Sequence, residues 1–301
     1  MILMSNCQEN RELWLNLRKG KIGASSAYDA ADLDAGSQPM RVWLDLCGKS
    51  ESFGDNDWAF WGRMLEKSVL DGWLAKFQEE NPGKIIKVLD GDFLIQHPYF
   101  KWAVATPDFV VSIDGEPVSI QIKTRSAGRF DEYQDGAIPN ADRAQVLHEL
   151  GCLEQLGIKR AYLVVFFYPG SGKAYRPPSI SWTEVPAEKA FIDELFKREQ
   201  FVVDCAAKGE PPPIKPTEER KFLGGRFAKK TSAVIDLCDD KDAQVIFDRY
   251  VEASKAEKEA TLVKTALSTE MLIKIGNAGE GYLGIDRKVI IVRTNPQPTL
   301  D

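Results

Sequence analysis

Thr106-Pro107-Asp108-Phe109 and, after a short interval, Ile120-Gln121-Ile122-Lys123 are the two segments on which fold and chemistry turn. Residues 108–114 and 117–124 read as strands, with Asp114-Gly115 forming a tight hairpin between them. Successive side chains of a strand face opposite ways. Val118, Ile120 and Ile122 therefore point into a core, and Ser119, Gln121 and Lys123 share the other face. That second face has two readings. It is either an ordinary solvent-facing hairpin surface or, with Asp108, a convergent cluster at the end of a sheet. An Asp, a second oxygen donor and a Lys suit phosphodiester hydrolysis. Hard oxygen ligands hold Mg²⁺, the metal acidifies a water and neutralises phosphate charge, and the Lys orients that water or stabilises the crowded phosphorus.

Upstream, residues 56–80 predict a long helix, with Trp58, Trp61, Leu65, Val69 and Trp73 at three- and four-residue spacing and Asn81-Pro82-Gly83 as its stop. Glu66 flanks that stripe. It is either a surface Glu or a carboxylate turned inward, where a lone charge needs a partner or a metal. Residues 84–89 and 93–96 read as strands. Downstream, residues 141–156 predict a helix capped by Asn140 and stopped by Gly157, with Gln145 and His148 on one face. Residues 162–168 and 180–185 read as strands, and residues 186–208 as a helix. Near the start, residues 8–17 and 25–33 read as helices. Arg18, Lys21 and Ser25 gather around the second one's amino terminus, either as a phosphate site or as simple capping. Pro169-Gly170-Ser171-Gly172-Lys173 fails as a phosphate loop, because Phe167 and Ala174 stand where a Gly and a hydroxyl are needed; it reads as a loop between strands.

Composition sets the outer bounds. The 301 residues are 44% apolar, with seven Trp, which is enough for a sizeable core. The longest wholly apolar run, 161–168, is far below the ~20 residues that span a bilayer. The first residues lack the charged region of a signal peptide. Five scattered cysteines suggest neither a zinc knuckle nor a disulfide framework and fit a reduced, cytoplasmic setting. A net charge of −6 excludes a protein that coats nucleic acid by bulk charge. Residues 1–208 are expected to form a mixed α/β core. Residues 209–230 would be a Pro-rich, then basic linker, and residues 231–301 a helix-plus-strands extension. The basic residues Arg226, Lys229 and Lys230 are candidate DNA contacts or a solvated face.

Taken in order, Arg18 with Ile22-Gly23-Ala24-Ser25, Gly62 to Glu66, His97-Pro98, Ala105-Thr106-Pro107-Asp108, Gln121-Ile122-Lys123 and Gln145-Val146-Leu147-His148 resemble one family. It is the YqaJ-like and lambda-exonuclease-like phage recombination exonucleases of the PD-(D/E)xK nuclease superfamily. The resemblance implies a PD-(D/E)xK (restriction-endonuclease-like) α/β core with a central mixed sheet. It implies Asp108, Glu66, Gln121 and the Ile122 backbone carbonyl as ligands of Mg²⁺, which Mn²⁺ would replace. It further implies Lys123 as the catalytic lysine, Gln145 as an active-site glutamine, and Arg18 and Ser25 at the DNA, at a 5′-phosphate. The implied activity is 5′ to 3′ degradation of linear double-stranded DNA by a ring-shaped homotrimer in a bacterial cell, the single strand passing to an annealing protein. Gln121 departs from the family's usual Glu. Two origins stay open: a natural Gln with acidity supplied by Glu66, or a substitution that traps DNA without turnover. A restriction- or repair-type endonuclease and a non-catalytic DNA-end-binding protein are the competing functions.

Overall fold

The computed structural model describes residues 1–49, 57–89, 91–169, 176–226, 234–276, 281–282 and 288–289. It divides into two units, residues 1–229 and 230–301.

The first unit is built around the hairpin. β6 (Phe109–Ile113) and β7 (Glu116–Ser126) pair antiparallel, with Ile113 opposite Glu116. Asp114 and Gly115 bridge them at φ 54° and 92°, the left-handed pair that a two-residue turn needs. β3 (Ile86–Leu89) extends the hairpin on one side. On the other, β8 (Arg160–Tyr168) runs parallel to β7 and β9 (Ser179–Pro186) antiparallel to β8, giving a five-stranded mixed sheet of order β3-β6-β7-β8-β9. The parallel β7–β8 pair requires a crossover, supplied by α5 (Asn140–Leu153). A second sheet of order β1-β4-β5-β2 joins β1 (Ile2–Ser5), β2 (Ile22–Gly23), β4 (Phe93–Gln96) and β5 (Ala103–Ala105). Other helices of this unit are α1 (Arg11–Arg18), α2 (Ala27–Ala30), α3 (Pro39–Leu46), α4 (Asp57–Glu80), α6 (Lys189–Lys208) and α7 (Pro216–Arg226).

The predicted alternation along β7 holds, but both of its faces are covered. Val118, Ile120 and Ile122 pack beneath Val69, Leu70, Trp73 and Phe77 of α4. Trp73 and Phe77 stack on Tyr162, with ring centroids 5.6 and 5.4 Å away. On the opposite face, Ser119 and Gln121 are 0% and 2% exposed, so the solvent-facing reading of the hairpin is wrong. That side belongs to α5, which is enclosed by α6 in turn.

Several expectations shift. The apolar stripe of α4 reaches the core only from Leu65 onward; Trp61 is 59% exposed, while the Trp58 side chain lies outside the described residues. Residues 25–33 form a 3₁₀ turn at Ala24–Ser26 and the single turn of α2, and no side chain caps either. Asn140 lies inside α5 rather than capping it, and its amide donates to Asp34 Oδ2. Gly157 does stop that helix, at φ 76°. The five cysteines are free. The expected linker is partly structured. Pro216 opens α7, and Glu219, fully buried, accepts from the backbone N–H groups of Lys215 and Met40 at 2.7 and 3.2 Å. Phe222 and Leu223 pack on the core of α3 and α6, so the first unit runs past residue 208. The loop at 170–175 and the residues Lys229 and Lys230 lie outside the described residues, as does the Arg226 side chain.

The second unit contains α8 (Lys241–Ile275), capped by Asp240 accepting from Ala243 N–H at 2.9 Å, and the short antiparallel pair β10 (Gly281–Tyr282) and β11 (Lys288–Val289). None of the described helices is long and apolar enough to cross a membrane.

Two features of the α5–α6 contact can be tested. Gly151 lies so close to α6 that a Cβ would meet Phe196 Cε2 at 2.4 Å and Ile192 Cγ2 at 2.9 Å. Gly151→Ala should therefore cost about 1–3 kcal/mol of stability in urea denaturation, despite the better helix propensity of Ala. Beside it, the fully buried His148 faces Glu199 from Nδ1 at 2.9 Å and the Val104 carbonyl from Nε2 at 3.2 Å. Burial opposes its charge, but the Glu199 carboxylate outweighs this and holds the His148 pKa well above its ordinary value. Both ring nitrogens then donate. A raised folded-state pKa gives stability that is complete below the unfolded value and is lost as pH rises through the folded one. Glu199→Ala should cost about 3–5 kcal/mol at pH 6, and the gap to the parent should narrow on going to higher pH.

Candidate active site

Asp108 immediately precedes β6, so its carboxylate reaches across to β7. Its Oδ2 accepts the Ile122 backbone N–H at 2.7 Å and also a bond from the Gln121 amide nitrogen. Two residues along, on the same face, Lys123 Nζ donates to Gln145 Oε1 of α5 at 2.6 Å. Glu66 comes from the other side, on α4. With Asp108 and Gln145 it lines one pocket of about 210 Å³, which Arg11, Arg18, Ser25 and Asp92 also line. Arg63, one turn before Glu66, completes the rim. The structure thus unites Asp108, Gln121, Lys123, Glu66 and Gln145, and brings Arg18 and Ser25 to the same pocket.

Burial lifts the Asp108 carboxyl to about 6 against the pull of Lys123 and the Ile122 N–H. Burial and then the negative charge of Asp108 push Glu66 up to about 8. Lys123 opposes both shifts and Arg63 opposes that of Glu66, yet burial outweighs them. Gln121 Oε1 is buried and makes no hydrogen bond, an acceptor left without a donor or a cation. Among the described residues no group of three or more His, Cys, Asp or Glu is placed to hold a metal, so the donor set is two carboxylates and a carboxamide oxygen. All are hard oxygens, a set that fits Mg²⁺ or Mn²⁺ and neither zinc nor copper.

Sequence reasoning missed three contributors. Glu149, fully buried on α5 one turn after Gln145, accepts the Ser119 hydroxyl at 2.5 Å. Its pKa is pushed up to about 8, by burial first. Its position four residues from Gln145 was the available signal. Trp14 and Thr106 are the other two, hydrogen-bonded to each other at 3.0 Å on the cationic side of the pocket. Lys21 does not join the site; its ammonium turns back to the Leu17 carbonyl at the end of α1, at 2.6 Å. His148, buried between α5 and α6, is structural. So is His97, whose Nδ1 accepts the backbone N–H groups of Tyr99 and Phe100.

A mixed sheet thus presents acidic oxygens and a lysine at a pocket that arginines also line. Residues 13–155, which hold all of these groups except Arg11, match the model of the YqaJ-like viral recombinase domain. Over 289 residues the chain is 27% identical to the protein YqaJ of Bacillus subtilis (strain 168), spanning 94% of this chain and 84% of that one. Among solved structures, the alkaline exonuclease LHK-Exo of Laribacter hongkongensis aligns at TM-score 0.49 and 20% identity, over 72% of this chain and 98% of that one. A phage-related exonuclease from Haemophilus somnus 129PT aligns at 0.44 and 13%, over 62% and 94%.

One glycine shapes the cationic wall. A Cβ at Gly23 would lie 2.2 Å from an Arg18 guanidinium nitrogen, whereas the backbone there (φ −88°, ψ 158°) suits any residue. Gly23→Ala should therefore leave the urea midpoint nearly unchanged while moving Arg18. The expected result is at least tenfold weaker binding of a 5′-phosphorylated duplex by fluorescence anisotropy.

Proposed function

We propose that the chain is a metal-dependent deoxyribonuclease that shortens linear double-stranded DNA from its 5′ ends, with Mg²⁺ as cofactor and Mn²⁺ as a substitute. The observation that carries the reading is the one pocket lined by Asp108, Glu66 and Arg18, with the unpartnered Gln121 oxygen on the side chain that bonds Asp108. The recombinase domain match supports the same reading. Asp108, Glu66 and Gln121, with the Ile122 carbonyl, would hold the metal, which when bound supplies Lewis acidity to the scissile phosphate.

The remaining work falls to the protein's own side chains. Arg18 and Ser25 receive the terminal phosphate and set the end of the strand in the pocket. Arg18 stays cationic there, although burial and the neighbouring Arg11 push its pKa down to about 10. Lys123, kept in place by the Gln145 carbonyl oxygen, offers a proton-bearing ammonium where negative charge develops. Its charge also opposes the upward pKa shifts of both Asp108 and Glu66. The choice of a 5′ end rests on the family resemblance. A homotrimeric ring and a single-strand annealing partner complete the reading by resemblance.

Gln121 decides how active the chain is. Its amide N–H now donates to Asp108; a Glu there would set a second carboxylate against Asp108 and need a cation between them. Digestion of a 5′-phosphorylated linear duplex and a closed circle with Mg²⁺ is the test, for the parent and for Gln121→Glu. Loss of the linear duplex with the circle spared is expected, faster for Gln121→Glu, whose melting temperature should also rise more on adding Mg²⁺. Cutting of the circle would replace the reading with an endonuclease. End binding without cleavage by either form would leave an end-binding protein.

A further inference from the structure

The anionic half of the pocket is accounted for by a metal; the cationic half contains an arrangement that metal chemistry does not need. The Arg18 guanidinium lies over the Trp14 ring, 4.2 Å from its centroid, and Arg11 lies 5.4 Å from the same ring. Among the described residues no carboxylate pairs with Arg18. Trp14 itself is fixed. Its ring packs with Met4, Cys7, Leu94 and Val104, and its Nε1–H donates to Thr106 Oγ1 at 3.0 Å. Thr106 stands two residues before Asp108, in the segment that connects β5 to β6. A half-buried cation without a counter-ion is a receptor for an anion. An aromatic face orients a guanidinium without neutralising it, leaving its N–H groups available to a phosphate.

We propose that Trp14 is a positioning residue for 5′-terminal phosphate recognition: it aims Arg18, with Arg11 beside it, at the phosphate of a DNA end, and through Thr106 it registers that phosphate against the segment bearing Asp108. The inference rests on the nuclease reading for the identity of the anion and deepens it. Arg18 and Ser25 would touch the phosphate, whereas Trp14 acts through them. A terminal phosphate monoester carries more negative charge than an internal diester, so the Arg18 guanidinium favours a phosphorylated end over a 5′-hydroxyl end.

The test is anisotropy of the full chain, in EDTA, with short duplexes differing only in a 5′-phosphate or 5′-hydroxyl. It is run on the parent, Trp14→Ala, Trp14→Phe and Thr106→Val, with urea midpoints measured alongside. The parent should prefer the phosphorylated end at least tenfold. Trp14→Ala should abolish that preference while leaving affinity for the hydroxyl end within twofold, Trp14→Phe should retain most of it, and Thr106→Val should lose part. If Trp14→Ala weakens both ends equally, Trp14 is merely structural and the proposal falls. It falls equally if the parent shows no preference, or if Thr106→Val, the variant to rely on should Trp14→Ala not fold, keeps the full preference. Cleavage is scored separately on linear duplex with Mg²⁺. A Trp14-dependent preference with no cleavage by the parent or Gln121→Glu sinks the nuclease and leaves this proposal standing. Cleavage with a Trp14-independent preference does the reverse.

Discussion

The Asp108 carboxylate, tied to the Ile122 backbone N–H, is the constraint on which the site depends. A carboxylate withdrawn from water is costly unless its oxygens are bonded, and here the bond comes from the neighbouring strand of its own hairpin. It can form only in one register. Pairing Phe109 with Ile120 brings Asp108 beside Gln121 and Ile122, and the turn at Asp114-Gly115 sets that pairing. A shift of one residue would turn Ser119, Gln121 and Lys123 toward α4 and expel Val118, Ile120 and Ile122 from its core. The apolar packing of α4 therefore guards the chemistry on the opposite face of the same strand.

That coupling explains what was legible in the sequence. Period-two alternation at 118–123 gave the two faces, and Asp-Gly gave the turn. Glu66, beside an apolar stripe, stayed open between a surface and an inward carboxylate until the fold placed it at the pocket. What alternation cannot say is whether the polar face meets water or another helix. Ser119 and Gln121 look like surface residues until α5 covers them, and the Glu149 and Gln145 that receive Ser119 and Lys123 lie more than twenty residues further along the chain. Local signals also failed where tertiary contacts decide. Asn140 and Ser25 have good capping chemistry, but the first bonds Asp34 across the fold and the second sits in a 3₁₀ turn. The cationic wall thus owes nothing to a helix dipole. It rests on Arg18, which reaches the pocket because Gly23 has no side chain.

The net charge of −6 conceals this partition. Asp108 and Glu66 line the same cavity as Arg11, Arg18 and Arg63, so both signs of charge meet within one pocket of an acidic protein. The α5 helix separates two kinds of buried charge. Its Gln145 and Glu149 turn to the pocket and to β7, while His148 turns to Glu199 of α6. The second pair is closed and internally compensated, whereas the first is open, with Gln121 Oε1 and Glu149 Oε2 both lacking partners. Closed pairs hold elements together; open ones await a ligand.

Gln121 sharpens that distinction. With Gln the amide N–H bonds Asp108, and the oxygen left unpartnered is neutral rather than charged. With Glu the same position would hold a third buried negative group near Asp108 and Glu66, and the apo state would be strained by repulsion. Metal affinity and apo stability therefore oppose one another at this residue. A chain with Gln121 gives up part of its hold on the cation and gains a site that folds without one. On the proposed function, DNA-end recognition would reside with Arg18 rather than with Gln121, so it would be free of that exchange, and binding and cleavage would be separable by residue.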